Sequence, residues 1–132
     1  MPSDIRRAAQ LICGAAVALA GCASTNYHYS QILGERYHRT TIDTYPVSVV
    51  RIDGKDTLRR PALVEPGRRD ISVQGPPGGV GGVGEVRSIS MDVAACTRYY
   101  LVAVKSQALA TDFAIRVDHQ EPVPGCTAPR AG

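Results

Sequence analysis

The chain has 132 residues, of which 44% are hydrophobic and 20% are charged, and its formal net charge at pH 7 is +3. This length allows one domain, and a charge so small and so evenly spread argues against a nucleic-acid partner. Tryptophan is absent and Phe113 is the only phenylalanine, so no aromatic platform for sugars or bases is obvious.

Residues 1–21 have the three parts of a secretory signal peptide. Arg6 and Arg7 supply a positive start, the run from Ala8 to Ala18 is uncharged, and small residues close it. This apolar core is too short for a membrane-spanning helix, which needs about 20 apolar residues. We therefore predict an N-terminal signal helix, residues 1–21, that is cleaved from the chain.

The four residues that end this segment, Leu19-Ala20-Gly21-Cys22, resemble the bacterial lipobox. The resemblance implies that Leu19, Ala20 and Gly21 are recognition positions, and that Cys22 receives a diacylglycerol thioether and then an acyl group such as palmitate on its new amino group. Each buried CH₂ contributes about 0.8 kcal/mol, so several acyl chains anchor a protein stably. Ala23 follows where an aspartate commonly retains lipoproteins at the inner membrane, which implies an outer-membrane protein that faces the periplasm.

The cysteine count predicts one disulfide. Cys13 leaves with the signal peptide and Cys22 is acylated, so Cys96 and Cys126 remain as an even pair in an oxidising compartment. Two distant cysteines, and histidines without metal-like spacing, predict no metal site. The covalent lipid on Cys22 is the only non-protein group that we expect, and no cofactor.

The chain after Cys22 is polar and predicts a flexible, lipidated tether over residues 22–35. Within it, Tyr27-His28-Tyr29 is either part of a mobile linker or a small binding patch. Residues 36–126 are then predicted to form the β domain, and residues 127–132 a flexible tail.

The first half of the domain shows β-strand patterns. Residues 39–42 predict a short first strand, and the β-branched run from Tyr45 to Asp53 predicts a second. The alternation of the second strand slips, which indicates a bulge or burial on both faces. Asp53-Gly54 and Pro66-Gly67 predict turns. Pro61 before Leu63-Val64 indicates an edge strand.

Part of this region resembles the PEGA-type β module of bacterial envelopes. The matching segments are Val49-Val50-Arg51-Ile52-Asp53-Gly54-Lys55, then Pro61, Val64-Glu65-Pro66-Gly67 and Ile71-Ser72-Val73. The module has a Gly-Tyr after its last strand, where this chain has Gly75-Pro76-Pro77. The resemblance implies a small Ig-like antiparallel β-sandwich, and it carries no catalytic residues.

The second half begins with a glycine-rich run, Gly75 to Gly84, which lacks the Gly-Lys-Ser/Thr of a phosphate-binding loop. We predict a flexible, solvent-exposed hairpin loop, with a glycine-rich partner surface as the alternative. Arg87–Val93 alternates as a half-buried strand, and Arg98–Lys105, apolar on both faces, is predicted to be the central strand. The last strand begins at Phe113.

The sequence offers no convincing catalytic constellation. Asp118 and His119 are adjacent, and neighbours on a strand point to opposite faces, so we predict no acid–base dyad and no enzyme. We expect instead an envelope lipoprotein that acts as a binding or structural module for another envelope protein or a glycan. The alternative is a periplasmic carrier or enzyme inhibitor that binds its ligand in a groove between the sheets.

Overall fold

The regular structure of this chain is β-structure throughout the residues that the computed structural model describes, 27–78 and 81–128. Nine strands follow one another there: β1 (Ser30–Leu33), β2 (Thr44–Pro46), β3 (Ser48–Ile52), β4 (Lys55–Asp56), β5 (Ala62–Val64), β6 (Gly67–Gln74), β7 (Val86–Val93), β8 (Thr97–Val104) and β9 (Ala114–Pro122). They form two sheets around a common core, which confirms the predicted small all-β sandwich.

Sheet A is built around β8, which confirms the prediction of a central strand. β9 pairs antiparallel with one edge of β8 along its whole length. The other edge pairs with β1 and then with β2, and β5 continues the sheet beyond β1 as an edge strand. β1 is parallel to β8, and the other strand pairs that the structure describes are antiparallel.

Sheet B has the order β4-β3-β6-β7. The register of β3 against β6 shifts between Val49 and Arg51, so a bulge explains the irregular alternation seen in the sequence. Asp53 and Gly54 form the predicted turn between β3 and β4, with φ angles of 50° and 77°. Positive φ at both central residues is what a tight hairpin turn requires, and it is the reason for glycine there.

The inner faces of the two sheets fill the core with aliphatic side chains. The fully buried members that the two middle strands supply are Ile71 and Val73 from β6 and Leu101 and Ala103 from β8. In β7 the alternation is as predicted, with Ile89 and Met91 directed to the core between exposed serines. Near Val47, the space between the sheets is a cavity of about 40 Å³.

The predicted cysteine pair lies at bonding distance. The sulfur atoms of Cys96 and Cys126 are 2.04 Å apart, and their Cα atoms are 5.5 Å apart. Cys96 precedes β8 and Cys126 follows β9, so the bond closes the end of the β8–β9 hairpin. Beside it, the N–H of Val123 donates to the carbonyl of Cys96 at 2.8 Å.

The prediction of a tether over residues 22–35 is wrong for its last part. Ser30–Leu33 is β1, which lies inside sheet A between β5 and β8. Its polar residues suggested a solvated linker, but Ser30 is completely buried and Gln31 nearly so. The Ser30 hydroxyl donates to the carbonyl of Ala94 at 2.5 Å and accepts from the N–H of Thr97 at 3.1 Å, so its polar atoms are satisfied inside the fold.

Two strand predictions also need correction. Residues 39–42 form turns rather than a strand, and Ile42 is 83% exposed because no sheet covers it. The run from Tyr45 to Asp53 is not one strand, because β2 belongs to sheet A and β3 to sheet B. Val47 lies at the crossing, where its N–H donates to the carbonyl of Gly34 at 2.8 Å.

The glycine-rich run connects β6 to β7, as predicted for a hairpin loop, but the base of this loop is packed. A Cβ atom on Gly75 would lie 2.5 Å from Cζ of Phe113, and one on Gly84 would overlap the carbonyl oxygen of Gly75. The N–H of Gly75 also donates to the carbonyl of Glu85 at 2.9 Å. The glycines at the base therefore permit close approach, which corrects the prediction of a wholly exposed, flexible loop.

Candidate binding surface

The outer face of sheet A carries a cluster of aromatic, imidazole and carboxylate side chains. Its members are Tyr37, His38, Tyr100, Asp118, His119 and Glu121, and we call this cluster the aromatic–acid face. β8 alternates, so Tyr99 and Leu101 enter the core while Arg98 and Tyr100 point outward. The register of β9 then sets Glu121 opposite Arg98 and His119 opposite Tyr100.

A bulge in β9 brings Asp118 to the same face as His119. The register shifts so that Tyr100 pairs with His119 while Leu101 pairs with Val117, which leaves Asp118 as the extra residue. Both side chains contact the loop that contains Tyr37 and His38. The prediction that Asp118 and His119 point to opposite faces is therefore wrong, because it assumed an unbroken strand.

Asp118 holds this loop against the sheet. Its Oδ2 accepts hydrogen bonds from the backbone N–H groups of Tyr37 and His38, both at 2.9 Å, and its side chain is only 3% exposed. Burial alone would raise the pKa of Asp118, but these N–H groups and the nearby His38 ring hold the pKa below its ordinary value. The carboxylate is thus charged and occupied at neutral pH.

The aromatic rings of the face stack on one another. Tyr37 lies flat on His119, with ring centroids 3.6 Å apart and planes at 14°, and it meets the edge of Tyr100 at 5.1 Å. The His38 ring stands at 88° to that of His119, with centroids 5.8 Å apart. Tyr37 is 45% exposed and the His38 side chain 53%, so both remain accessible to a partner.

Glu121 joins the rings to a chain of hydrogen bonds. Its Oε1 accepts from the Tyr100 hydroxyl at 2.9 Å and from Nη1 of Arg98 at 3.0 Å. These hydrogen bonds, that of Tyr100 above all, lower the pKa of Glu121, although partial burial opposes them. Arg98 Nε donates to Gln31, and Gln31 donates to the Tyr27 hydroxyl at 2.8 Å, so Tyr27 of the predicted patch belongs to the same network.

The face combines charged carboxylates, whose hydrogen bonds are already made, with exposed aromatic rings. The carboxylates of Asp118 and Glu121 are charged and already accept two hydrogen bonds each, so neither is arranged as a proton donor. Within residues 27–78 and 81–128, no group of three or more His, Cys, Asp or Glu side chains is placed to hold a metal ion. The exposed rings and the imidazoles supply apolar area and hydrogen-bonding capacity side by side, as protein interfaces often do.

This face was not predicted from the sequence. Its strand members come together only through the β8–β9 register, and the bulge at Asp118 leaves no mark in the sequence. The opposite charges of Arg98 and Glu121 were the available signal, since such cross-strand pairs are common in sheets. The predicted lipobox residues, Leu19, Ala20, Gly21 and Cys22, lie outside the described residues.

Searches against protein-family models, curated proteins and solved structures returned no match to this chain. In the part of the chain with described coordinates, no helix has the length and apolar character needed to cross a membrane.

Replacing Asp118 with alanine is expected to lower the free energy of unfolding by about 2 kcal/mol, because it leaves two backbone donors without their acceptor. Amide hydrogen exchange should speed up first at Tyr37 and His38. Asp92→Ala is the matched control, since Asp92 is 82% exposed and its ion pair with Arg68 is 3.5 Å long. A cost within about 0.5 kcal/mol is expected there. Equal effects of the two substitutions would contradict the anchoring role of Asp118.

Proposed function

We propose that this protein is an envelope lipoprotein, anchored through Cys22 to the outer membrane and facing the periplasm, whose β-sandwich acts as a non-catalytic binding module. The observation that carries the proposal is the sequence Leu19-Ala20-Gly21-Cys22 directly after an apolar core with a positive start. The lipid is the membrane contact, and another envelope protein or a glycan is the partner.

The position of Tyr27 supports this arrangement. Only residues 23–26 separate it from Cys22, and an extended chain spans at most about 3.4 Å per residue, so Tyr27 would lie within roughly 17 Å of the lipid. The carbonyl of Tyr27 accepts from the N–H of Thr127 at 2.9 Å, next to the disulfide. The disulfide end of the sandwich would thus be held close to the membrane surface.

The filled core favours surface binding over the carrier alternative. The cavity near Val47 measures about 40 Å³, whereas small-molecule sites usually measure about 300–1,000 Å³. The larger hollows, of about 300 and 390 Å³, are wide open to solvent. The first lies where β5 of sheet A meets the β3–β4 hairpin of sheet B and is lined mainly by charged and polar side chains, and the second lies beside Cys96 and Pro122. The aromatic–acid face, with its exposed rings, is the surface that we propose for the partner.

The anchoring is tested by Cys22→Ser, which removes the thiol that would carry the diacylglycerol. Incorporation of radiolabelled palmitate is expected to disappear, and the protein should move from the membrane to the soluble fraction. Cys13→Ser is the matched control, because Cys13 lies in the signal core and its loss should leave labelling unchanged. A wild-type chain that is soluble and unlabelled would refute the lipoprotein proposal.

The partner is sought in a separate experiment. Photo-cross-linking from position 38 in the native envelope would identify what binds the aromatic–acid face.

A further inference from the structure

One side of the sandwich is open. β7 is the last strand of sheet B, β9 is the last strand of sheet A on the same side, and no described strand pairs with their outer edges. The two edges lie close together, since Nη1 of Arg87 in β7 donates to the carbonyl of Phe113, just before β9, at 3.0 Å. A groove of about 250 Å³ runs between residues 87–89 and 113–115. We call this opening the seam.

The seam leaves part of the core uncovered. Ile89 and Met91 of β7 pack against the core but are only partly buried. In β9, Ile115 and Val117 face the same way, because their register partners in β8 are core residues. Val117 is nevertheless 36% exposed. These four apolar side chains are thus left partly exposed along the seam, where a further layer of protein would bury them.

The outer edge of β7 is protected only near its start, where the inward-facing Arg87 donates to the carbonyl of Phe113. Its register with β6 is unbroken over all eight residues, and it contains no lysine and no proline. The other edge strands are different, because β4 and β5 are short and β9 has the bulge at Asp118 and ends at Pro122. A long, regular edge with unpaired backbone groups is a template for pairing with another strand.

We propose that β7 pairs antiparallel with β7 of a second copy, around a two-fold axis perpendicular to sheet B. Such an interface uses the same surface on both copies, so one open edge is sufficient. The axis keeps the inner faces of the two sheets on the same side. The seams of the two copies therefore meet, and the half-covered side chains of one copy face those of the other.

The charges of β7 are compatible with this pairing. Arg87 and Asp92 are its only charged residues and lie near opposite ends of the strand. An antiparallel pair places the Arg87 end of one copy beside the Asp92 end of the other, so like charges stay apart.

The pairing of the two β7 strands does not depend on the lipid. With the axis along a membrane normal, the two copies of Tyr27 would lie at the same height, which suits two anchored chains.

The test is the mass of the chain in solution, measured by sedimentation over a concentration series on the mature Cys22→Ser protein without detergent. We expect a dimer. Ser88 and Ser90 are exposed on the outer face of β7, so Ser88→Lys/Ser90→Lys should leave the fold intact and set like charges against each other. The dimer should weaken about tenfold or more. Ile42→Lys/Leu58→Lys, with the same added charge at exposed positions away from the seam, should dimerise as the parent does.

A charge-reversed partner makes the test specific. Ser88→Glu/Ser90→Glu should also be monomeric alone, and mixing it with the lysine variant should restore dimers that contain one copy of each. The proposal is overturned if the parent chain is monomeric throughout, as it would be if the edge of β7 receives a strand of a different protein. It is also overturned if the lysine variant dimerises normally or if mixing restores nothing.

Discussion

Breaking the disulfide between Cys96 and Cys126 is expected to lower the free energy of unfolding by roughly 3.5 kcal/mol. The bond joins residues 30 positions apart, and the chain-entropy model gives about this value for a loop of that length. Domains of this size are stable by only about 5–15 kcal/mol, so the loss is a large part of the total. The melting temperature should fall by on the order of 15–20 °C.

The structure adds a local consequence to this loss. Thr97 pairs with Pro122, and the chain after Pro122 is held by Val123, by the disulfide and by the hydrogen bond from Thr127 to Tyr27. Reductant should therefore expose the residues after Pro122 to proteases before the rest of the domain unfolds. The control is Cys96→Ser/Cys126→Ser, whose melting temperature should not respond to reductant. Equal melting temperatures of the oxidised and reduced parent would contradict the expected contribution. Free thiols at both positions in protein purified from its native host without reductant would contradict the bond itself.

Gly34→Ala is expected to cost at least about 3 kcal/mol, because the added methyl group would collide with backbone. A Cβ atom at Gly34 would overlap the carbonyl oxygen of Val47 and lie 2.6 Å from its carbonyl carbon. The same pair shares the 2.8 Å hydrogen bond from the Val47 N–H to the Gly34 carbonyl. Relief of the collision would thus separate the end of β1 from the crossing between the sheets.

Gly54→Ala provides the matched comparison. Gly54 has φ of 77° and nothing within 4 Å of an added Cβ. Alanine there would therefore lower the free energy of unfolding only through the cost of its left-handed backbone conformation. A cost of about 1 kcal/mol is expected. Denaturant unfolding of both variants measures the difference. If Gly34→Ala were the milder of the two, the close approach of Gly34 and Val47 would not exist in solution.

The strands that the sequence predicts well are those in which the hydropathy of each side chain matches its burial. β7 has one solvent-facing and one core-facing side, and the second half of the central β8, Leu101–Val104, is continuously apolar, so hydropathy alone identifies both strands. The cysteine pair was also predictable, because a signal peptide and a lipobox, if present, account for Cys13 and Cys22 and leave Cys96 and Cys126 as the remaining pair. β1 was missed because Ser30 and Gln31 are polar and buried, with partners that lie more than 60 residues away.

The aromatic–acid face could not be predicted from the sequence for a related reason. Residues 36–43 form no strand or helix, and the carboxylate that accepts from two of their N–H groups belongs to Asp118, about 80 residues further along the chain. The bulge that directs this carboxylate depends on how β9 fits β8, which is a property of the pair of strands. A pattern of alternation read from one strand contains no information about it.

The parallel pairing of β1 with β8 has a consequence for the order in which the protein is assembled. β1 is synthesised first, yet Gln31 meets Arg98, which follows 67 residues later. Contacts of such long range form late, because the loop between them must close first. In the proposed lipoprotein, the strand nearest the anchor would therefore be unable to complete its sheet until β8, made 67 residues later, has arrived. The end of the domain closest to the membrane would thus depend for its fold on the part of the chain that is made last.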